Sequence, residues 1–314
     1  MKNKKIVVTG GAGFIGSNLA RALSEENKTI VIDDLSTGNL SNIEDLIEKK
    51  QIKFIKGSIT ELKFLKKEFK DVDFVFHQAA IPSVPRSIKD PILSNMVNIN
   101  GTLNVLIASH ENNVKKVIYA SSSSVYGDTP TLPKKEEMMP SPLSPYAVSK
   151  LAGEYYCQVF SDVYNLPTIS LRYFNVYGPR QDPNSEYAAV IPKFVKSIIE
   201  NKQPVIFGDG KQTRDFSYID DVVNANSLAA ESKAIGVFNI ACGKRITIKS
   251  LAETIMKLTG KKLKIKYDKP RPGDIMHSLA DITKAKKSFN YKPEFNIEKG
   301  LKETIKWFTK QMIK

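Results

Sequence analysis

A short apolar run, residues 5–9, leads without a gap into a glycine-rich turn, and helical spacing of apolar residues begins at Ser17. Within the turn, Gly11, Gly13 and Gly16 have the spacing G-x-G-x-x-G. Glycines let the turn close tightly and let the backbone approach a pyrophosphate, whose charge meets the free N–H groups and dipole of the helix. The order strand, turn and helix predicts a dinucleotide-binding unit rather than a glycine-rich turn without a ligand.

The second predicted strand, residues 29–32, ends at the acidic pair Asp33 and Asp34. A carboxylate at this position can bind a ribose 2′-hydroxyl, and it repels a 2′-phosphate. The sequence therefore favours NAD over NADP as the dinucleotide.

Strand-like and helical patterns alternate through the first half of the chain. In chain order they cover residues 52–55, 62–69, 73–76, 91–112, 116–120 and 169–172. This alternation predicts an α/β fold with a Rossmann-type, doubly wound parallel sheet, whose ligands bind beyond the carboxyl ends of the strands. We expect residues 1–172 to form the NAD-binding domain, together with segments near 213–243. Residues 173–314 are expected to form a smaller C-terminal α/β domain that binds the substrate.

Tyr146 and Lys150 stand one turn apart on a helix that we expect to begin at Pro145, with Ser144 as its N-cap. A phenol is a poor base at neutral pH because its pKa is about 10. A cation one turn away favours the phenolate and lowers that pKa, so Tyr146 can accept the proton of a substrate hydroxyl. The serines at 121–124 end the fifth strand, where a hydroxyl would face the same crevice.

The chain of 314 residues carries 47 Lys and Arg against 33 Asp and Glu, a net charge of +14. The lysines are scattered and form no basic stripe interleaved with aromatic residues, so we expect no nucleic acid partner but some attraction for an anionic substrate. The two cysteines form no CxxC pair, the three histidines stand far apart, and no apolar run is long enough for a signal segment or membrane span. These features predict a cytoplasmic protein with no metal site and no membrane association.

Four motifs occur together in one order, namely Thr9 to Gly16, His77-Gln-Ala-Ala80, a serine-rich segment ending in Val125-Tyr-Gly127, and Tyr146-x-x-x-Lys150. In this combination the chain resembles, essentially end to end, the extended short-chain dehydrogenase/reductase family and, within it, the nucleotide-sugar 4-epimerases. The resemblance implies an NAD-dependent UDP-sugar 4-epimerase, an isomerase that transiently oxidises C4 of the hexose. It implies that Tyr146 is the catalytic base, that Ser122 shares in catalysis, and that Lys150 lowers the tyrosine pKa and binds the nicotinamide ribose.

The resemblance also implies two sets of binding residues. Those for NAD are Gly10, Gly13, Phe14, Ile15, Gly16, Asp33, Asp34, Ser36, Thr37, Gly38, Ser58, Ile59, Gln78, Ala79, Ala80, Asn98, Tyr146, Lys150 and Tyr173. Those for the UDP-sugar are Ser83, Ser122, Ser123, Tyr146, Asn175, Gln181, Ala189, Val190, Lys193, Phe194, Val205, Phe207, Arg214, Asn239, Arg271, Asp274 and Ser278. Each of the two arginines can fork onto a pyrophosphate in a way that lysine cannot. A homodimer formed through helices near 91–112 and 145–164 is implied as well.

Three positions bear on the ligands through their difference from the family pattern. Ser58-Ile59 stands where members commonly have Asp-Ile, so a hydroxyl replaces the carboxylate that contacts the adenine amino group. Ser278 is small where strict UDP-glucose enzymes carry a bulky aromatic residue. Gln181 and residues 188–190 resemble the subgroup that handles N-acetylated UDP-hexoses. We therefore expect UDP-glucose and also UDP-GlcNAc as substrates.

Other functions on the same framework are distinguished by a few residues. Ser123 and Ser124 stand where a 4,6-dehydratase of the family has an Asp-Glu pair, and UDP-glucuronate decarboxylases usually have a glutamate at the second position, so both reactions are disfavoured. A UDP-glucuronate 4-epimerase stays open, because Arg180 or another cation could meet the carboxylate. A non-catalytic NAD-sensing scaffold is the alternative outside enzymes, and the presence of both Tyr146 and Lys150 argues against it.

Overall fold

The computed structural model describes residues 1–184, 189–270 and 275–313. The strands, in chain order, are β1 Lys5–Thr9, β2 Lys28–Asp33, β3 Ile52–Lys56, β4 Phe74–His77, β5 Lys116–Ser122, β6 Thr168–Tyr173, β7 Val176–Tyr177, β8 Val205–Phe207, β9 Thr213–Asp215, β10 Ser217–Tyr218, β11 Gly236–Ile240, β12 Arg245–Thr247 and β13 Lys266–Asp268.

The helices are interleaved with these strands. In chain order they are α1 Phe14–Leu23, α2 Glu44–Glu48, α3 Leu62–Glu68, α4 Val84–Lys89, α5 Pro91–Asn95, α6 Gly101–Glu111, α7 Pro145–Val163, α8 Val190–Ile199, α9 Ile219–Glu231, α10 Ile248–Thr259, α11 Thr283–Phe289 and α12 Ile297–Ile313. A π-helical turn, Met96–Asn100, joins α5 to α6, and 3₁₀ turns cover Leu40–Asn42 and Ser123–Tyr126.

Seven strands form one parallel sheet in the order β3-β2-β1-β4-β5-β6-β11. In its register Thr9 lies between Ile32 and His77, so the carboxyl ends of β1, β2 and β4 meet at one edge. The chain reverses its direction across the sheet between β1 and β4, and ligands of doubly wound folds bind at such a switch point. The predicted α/β fold with a Rossmann-type parallel sheet is confirmed.

Helices cover both faces of this sheet because side chains along a strand point alternately to either side. Ile6 and Val8 of β1 pack into one core with residues of α1 and α9, whereas Val7 packs into a second core with α3, α6 and α7. All three side chains are fully buried. The central strands are therefore continuous runs of apolar residues.

The helix that carries Tyr146 begins at Pro145, as predicted, and Ser144 caps it by accepting a hydrogen bond from the backbone N–H of Ala147 at 3.1 Å. Proline suits this first position because its missing N–H would have no helical partner. The predicted helix 91–112 is present as α5, the π turn and α6. A π turn of this kind often marks a functional site.

The C-terminal half has a core of its own, built from α8, α10 and α12 around three two-stranded sheets, β10-β7, β12-β9 and β13-β8. From this half, β11 returns to pair with β6 in the large sheet, and α9 packs against α1. The division at residue 172 stays a prediction. Within the described ranges, no helix combines the length and apolar character needed to cross a membrane.

Candidate active site

The glycine-rich turn presents open backbone at the carboxyl edge of the sheet. Helix α1 begins at Phe14, and among the described residues no side chain caps its first N–H groups. A Cβ at Gly16 would meet the carbonyl oxygen of Gly10, and one at Gly10 would lie 2.6 Å from the Cα of Ala79. Gly11, the first glycine of the motif, packs against Val31 instead. Donors at a helix N-terminus with no side chain above them fit a pyrophosphate.

Asp33 stands at the end of β2 beside this turn and is 7% exposed. Its carboxylate accepts hydrogen bonds from the backbone N–H groups of Ala12 at 2.9 Å and Leu35 at 2.8 Å. Burial raises the pKa of Asp33, and these two N–H groups oppose that rise. Gly38 lies against the carboxylate, since a Cβ there would come within 2.8 Å of Oδ1. The carboxylate has further lone pairs for ribose hydroxyls, so the residues present fit NAD.

One cleft runs from the glycine turn to Tyr146. It is lined by most of the predicted NAD residues, which are Gly10, Gly13, Phe14, Ile15, Gly16, Asp33, Asp34, Ser36, Thr37, Ile59, Gln78, Ala79, Ala80, Tyr146, Lys150 and Tyr173. Gly38, Ser58 and Asn98 lie outside this lining. The Ser58 hydroxyl accepts from the backbone N–H of Thr60 at 3.4 Å and from its hydroxyl at 3.0 Å.

Asn98 lies in the π turn with a buried side chain. It accepts from the N–H of Ile81 at 2.7 Å and donates to the Ser149 hydroxyl at 3.0 Å and to the Ile81 carbonyl at 3.2 Å. These bonds join the segment after Ala80 to helix α7. Asn98 thus stabilises the segment after Ala80, which borders the cleft, although the Asn98 side chain does not itself line the cleft.

Ser122, Tyr146 and Lys150 converge at the inner end of the cleft. The half-buried Tyr146 shares a side-chain hydrogen bond with Ser122. Lys150 is 4% exposed, its Nζ donates to the Ala120 carbonyl at 2.8 Å, and this Nζ lies 5.9 Å from the ring centroid of Tyr146. A hydroxyl, a phenol and an ammonium group therefore meet where the cofactor cleft ends.

Burial dominates the electrostatics of the pair. Burial raises the pKa of Tyr146 above its usual value, and the hydrogen bond with Ser122 offsets only part of this rise. The lowering of that pKa by Lys150 stays a prediction, since burial and the Ser122 hydrogen bond are the two causes resolved for Tyr146. Burial also lowers the pKa of Lys150, to about 8, so the lysine is still largely cationic at neutral pH.

Tyr173 and Gln78 are held by a buried asparagine that the sequence did not single out. The Tyr173 hydroxyl donates to Oδ1 of Asn226 at 3.0 Å and accepts from Nε2 of Gln78 at 3.3 Å. Asn226 in turn donates to the Val222 carbonyl at 2.7 Å within α9. Its position in a helix remote in sequence gave no sign of this contact.

A second cleft, with a volume of about 680 Å³, lies in the C-terminal half. The predicted substrate residues that line it are Asn175, Ala189, Val190, Lys193, Phe194, Val205, Phe207 and Arg214. Its lining also includes Lys196 and Lys266. This excess of cations suits an anionic ligand. Asn175 is held by a hydrogen bond from its Nδ2 to the Asp215 carbonyl at 2.8 Å.

The remaining substrate residues are spread around these clefts. Ser83 and Gln181 line an adjoining cleft, and Ser83 has a positive φ of 92° at the N-cap of α4. Ser123 is half-buried directly after Ser122. The backbone N–H of Ser278 donates to the Thr213 carbonyl at 3.0 Å, next to Arg214. Arg271 and Asp274 lie outside the described residues.

The prediction that Asn239 contacts the substrate is wrong. Asn239 is fully buried in β11. Its Oδ1 accepts from the Tyr126 hydroxyl at 2.7 Å, and its Nδ2 donates to the carbonyls of Lys134 at 2.9 Å and Asp281 at 3.1 Å. With both ends of the amide engaged inside the protein, Asn239 supports the fold. The described residues contain no cluster of three or more His, Cys, Asp or Glu suited to a metal ion.

Comparison with known proteins identifies the class to which this fold and site belong. Residues 6–241 match the model of the NAD dependent epimerase/dehydratase family. The chain belongs to this family, it is an enzyme, and NAD is its cofactor.

Individual relatives match along nearly the whole chain. A putative UDP-glucose 4-epimerase from Methanocaldococcus jannaschii is 40% identical over 305 residues, which are 96% of this chain and 97% of that protein. The structure of a UDP-N-acetylglucosamine 4-epimerase from Methanobrevibacter ruminantium, in complex with UDP-N-acetylmuramic acid, is 47% identical with a TM-score of 0.96, covering 99% and 100% of the two chains. A UDP-glucuronic acid 4-epimerase from Bacillus cereus, in complex with UDP-glucuronic acid and NAD, is 36% identical with a TM-score of 0.91, covering 98% and 99%.

Proposed function

We propose that the protein is a UDP-hexose 4-epimerase that interconverts UDP-glucose with UDP-galactose and UDP-GlcNAc with UDP-GalNAc. The observation that carries this proposal is the convergence of Ser122, Tyr146 and Lys150 at the inner end of the NAD cleft. A tyrosine that is hydrogen-bonded to a hydroxyl and flanked by an ammonium group is suited, as its phenolate, to take a proton from an alcohol and return it.

Each of the three side chains has a separate task in this mechanism. Tyr146, as its phenolate, takes the proton from O4 of the hexose, and Ser122 hydrogen-bonds the same oxygen and stabilises the negative charge of the phenolate. Lys150 uses one donor on the Ala120 carbonyl, which leaves two for the nicotinamide ribose. Bound NAD supplies the acceptor for the C4 hydride, which is later returned to the opposite face of the sugar. Return of the proton from Tyr146 to O4 completes the cycle.

Inversion requires the 4-keto sugar to turn over while the nucleotide stays bound. We assign the UDP moiety to the second cleft, where Arg214, Lys193 and Lys196 provide cations and Phe194 provides apolar contact. Binding energy placed on the nucleotide leaves the hexose free to rotate about the pyrophosphate linkage. In this assignment residues 1–172, with β11 and α9, hold NAD, and the C-terminal half holds the UDP-sugar.

The choice among sugars rests on a small number of side chains. Ser278 is held beside Arg214 through its backbone bond to Thr213, and its small side chain leaves room for an acetamido group. The 47% identity to a UDP-N-acetylglucosamine 4-epimerase supports the same substrate. No acid other than Asp33 and Asp34, at the far end from Tyr146, is among the described residues that line the NAD cleft. A general acid for dehydration is therefore missing from that lining.

UDP-glucuronate is the second candidate, because the half-buried Arg180 lines the cleft shared with Ser83 and Gln181. Its Nε has no hydrogen-bond partner among the described residues, although another guanidinium nitrogen donates to Oδ1 of Asn18. A carboxylate could use the Nε donor.

One assay separates these candidates. The purified protein is incubated without added NAD with UDP-glucose, UDP-GlcNAc or UDP-glucuronate, and the C4 epimers are followed by proton NMR. Turnover of the first two substrates, with little of the third, is expected. Turnover of UDP-glucuronate alone would replace the proposal by the second candidate, and turnover of none of the three would refute it.

We also propose that the protein is a homodimer. Large apolar side chains are exposed on α4, α5 and α7, among them Ile88, Ile92, Val159 and Val163. An apolar surface of this kind is typical of a subunit interface. The pairing of α5 to α7 with the same helices of a second copy would cover it.

A further inference from the structure

A buried ion pair lies two helical turns beyond Tyr146 on α7. Glu154 accepts two hydrogen bonds from Arg172 of β6, from Nε at 2.8 Å and from Nη2 at 2.7 Å, and both residues are only 3% exposed. A bidentate pair with so little solvent is geometrically specific, and removal of either partner leaves an uncompensated charge. The pair therefore fixes the spacing between α7 and β6.

The same carboxylate also holds the strand that carries Ser122. The Ser121 hydroxyl donates to Oε1 of Glu154, and Ser121 is the register partner of Arg172 in the sheet. Glu154 thus joins α7, β5 and β6 at one point, with Ser122 as the next residue of β5. On the helix, Lys150 is one turn before Glu154 and Tyr146 is two turns before it, about 12 Å along the axis.

The far side of the ion pair is anchored as well. The guanidinium of Arg172 lies 4.7 Å from the ring centroid of Tyr126, and the Tyr126 hydroxyl donates to the fully buried Asn239 at 2.7 Å. Tyr126 ends the 3₁₀ turn that follows Ser122. Both ends of the Ser122–Tyr126 segment are therefore held by one buried network, which explains why Asn239 is engaged inside the protein.

We propose that Glu154 is a positioning residue for catalysis, which acts through Ser121 to hold the Ser122 hydroxyl against Tyr146. The proposal rests on the proposed epimerase function, in which these two groups share the O4 proton. In this role Glu154 touches neither substrate nor cofactor. It acts by fixing the distance between the Ser122 and Tyr146 hydroxyls, which do touch the substrate.

Glu154 has a second effect, on the charge of Lys150. The titratable groups that face this lysine are Tyr146, Glu154 and Cys157 of its own helix, Tyr119 of β5 and His77 of β4. Burial raises the pKa of Cys157 to about 12, raises that of Tyr119, and lowers that of His77 to about 3, so all three are neutral at pH 7. Glu154 is then the one anion among these groups, and it favours the ammonium form of Lys150.

The hydrogen bond to Ser121 is tested first because its removal leaves the ion pair intact. Ser121→Ala is compared with Ser170→Ala, a buried serine on β6 that contacts Cys157 instead. We expect kcat to fall about tenfold in Ser121→Ala, since one hydrogen bond contributes on the order of 1.4 kcal/mol. KM and NAD content should be unchanged, and Ser170→Ala should keep its kcat. Equal kcat in the two variants would overturn the proposal.

The charge effect is tested with Glu154→Gln, with the exposed Glu111→Gln as its control. The alkaline limb of the pH–rate profile should move to lower pH only in Glu154→Gln, because the anion that favours the Lys150 cation is gone. If this variant does not fold, Glu154→Gln with Arg172→Gln removes both charges and is measured in its place. An unshifted limb would contradict this role of Glu154.

A titration without substrate separates this proposal from the epimerase assignment. The near-ultraviolet absorbance of tyrosinate is followed against pH. The titration curve of Tyr146→Phe is subtracted, so that the difference reports the ionisation of Tyr146. In Ser121→Ala the midpoint of Tyr146 should rise, because a displaced Ser122 stabilises the phenolate less. A midpoint equal to that of Ser170→Ala would refute the positioning role even if no UDP-sugar were turned over.

Discussion

Replacement of Gly16 by alanine tests the glycine turn as the NAD site. The new Cβ would meet the Gly10 carbonyl oxygen and lie 2.8 Å from the Cα of Gly11, and both neighbours are backbone atoms that cannot rotate away. The start of α1 must then shift by about 1 Å, an overpacking that costs roughly 1–3 kcal/mol. Alanine gains about 0.5–1 kcal/mol in a helix relative to glycine. The net loss of unfolding free energy should be about 0–2.5 kcal/mol.

NAD affinity should fall more than stability does. A shift of the first turn misaligns N–H donors that must face a pyrophosphate, and each lost charge-assisted hydrogen bond is worth roughly 1.5–3 kcal/mol, at least tenfold in affinity. Gly260→Ala is the control, because its Cβ would meet no atom of the described residues within 4 Å, whereas its positive φ of 67° at the end of α10 strains alanine outside the lining of the NAD cleft.

Urea unfolding and the NAD released on acid precipitation measure the two effects. Gly260→Ala should lose stability but keep the NAD content of the wild type, whereas Gly16→Ala should also lose bound NAD. Wild-type NAD content and stability in Gly16→Ala would refute the reasoning.

Three further perturbations have defined outcomes. The pH–rate profile should fall above about pH 8 as Lys150 loses its proton. Because the pKa of Lys150 is lower in the folded than in the unfolded chain, the contribution of Lys150 to the free energy of unfolding should rise from about pH 8 towards pH 10.5. A comparison of urea midpoints between the wild type and Lys150→Met across this pH range measures that rise. Asn239→Ala should cost about 1–3 kcal/mol of stability in urea without altering KM, since it orphans buried partners; a raised KM with unchanged stability would instead support substrate contact. Ile92→Lys combined with Val159→Lys should give a monomer in light scattering, and an unchanged dimer would place the interface elsewhere.

Local rules account for what was predictable from the sequence. The proline and serine at the start of α7 follow capping chemistry, and the strand–turn–helix order of residues 5–23 follows from glycine spacing, so both appear as expected. The alternation of strand-like and helical segments was sufficient to predict a parallel sheet. Most residues assigned to NAD by motif line one cleft because they stand at neighbouring strand ends.

Contacts between residues far apart in the sequence could not be predicted from these local rules. Nothing in the sequence pairs Glu154 with Arg172 or Asn226 with Tyr173, because these contacts join elements that only the fold brings together. The direction of the pKa shift of Tyr146 depends on its burial, which the spacing to Lys150 cannot supply.

The replacement of Tyr146 by phenylalanine tests the central claim most directly. Tyr155→Phe is the control, since Tyr155 lies on the same helix and is 56% exposed. Epimerisation of UDP-glucose and UDP-GlcNAc should fall by roughly 10²–10⁴-fold in Tyr146→Phe, the contribution of a positioned general base, with NAD content at the wild-type level. Tyr155→Phe should be fully active. Turnover by Tyr146→Phe at the rate of the control would contradict the account.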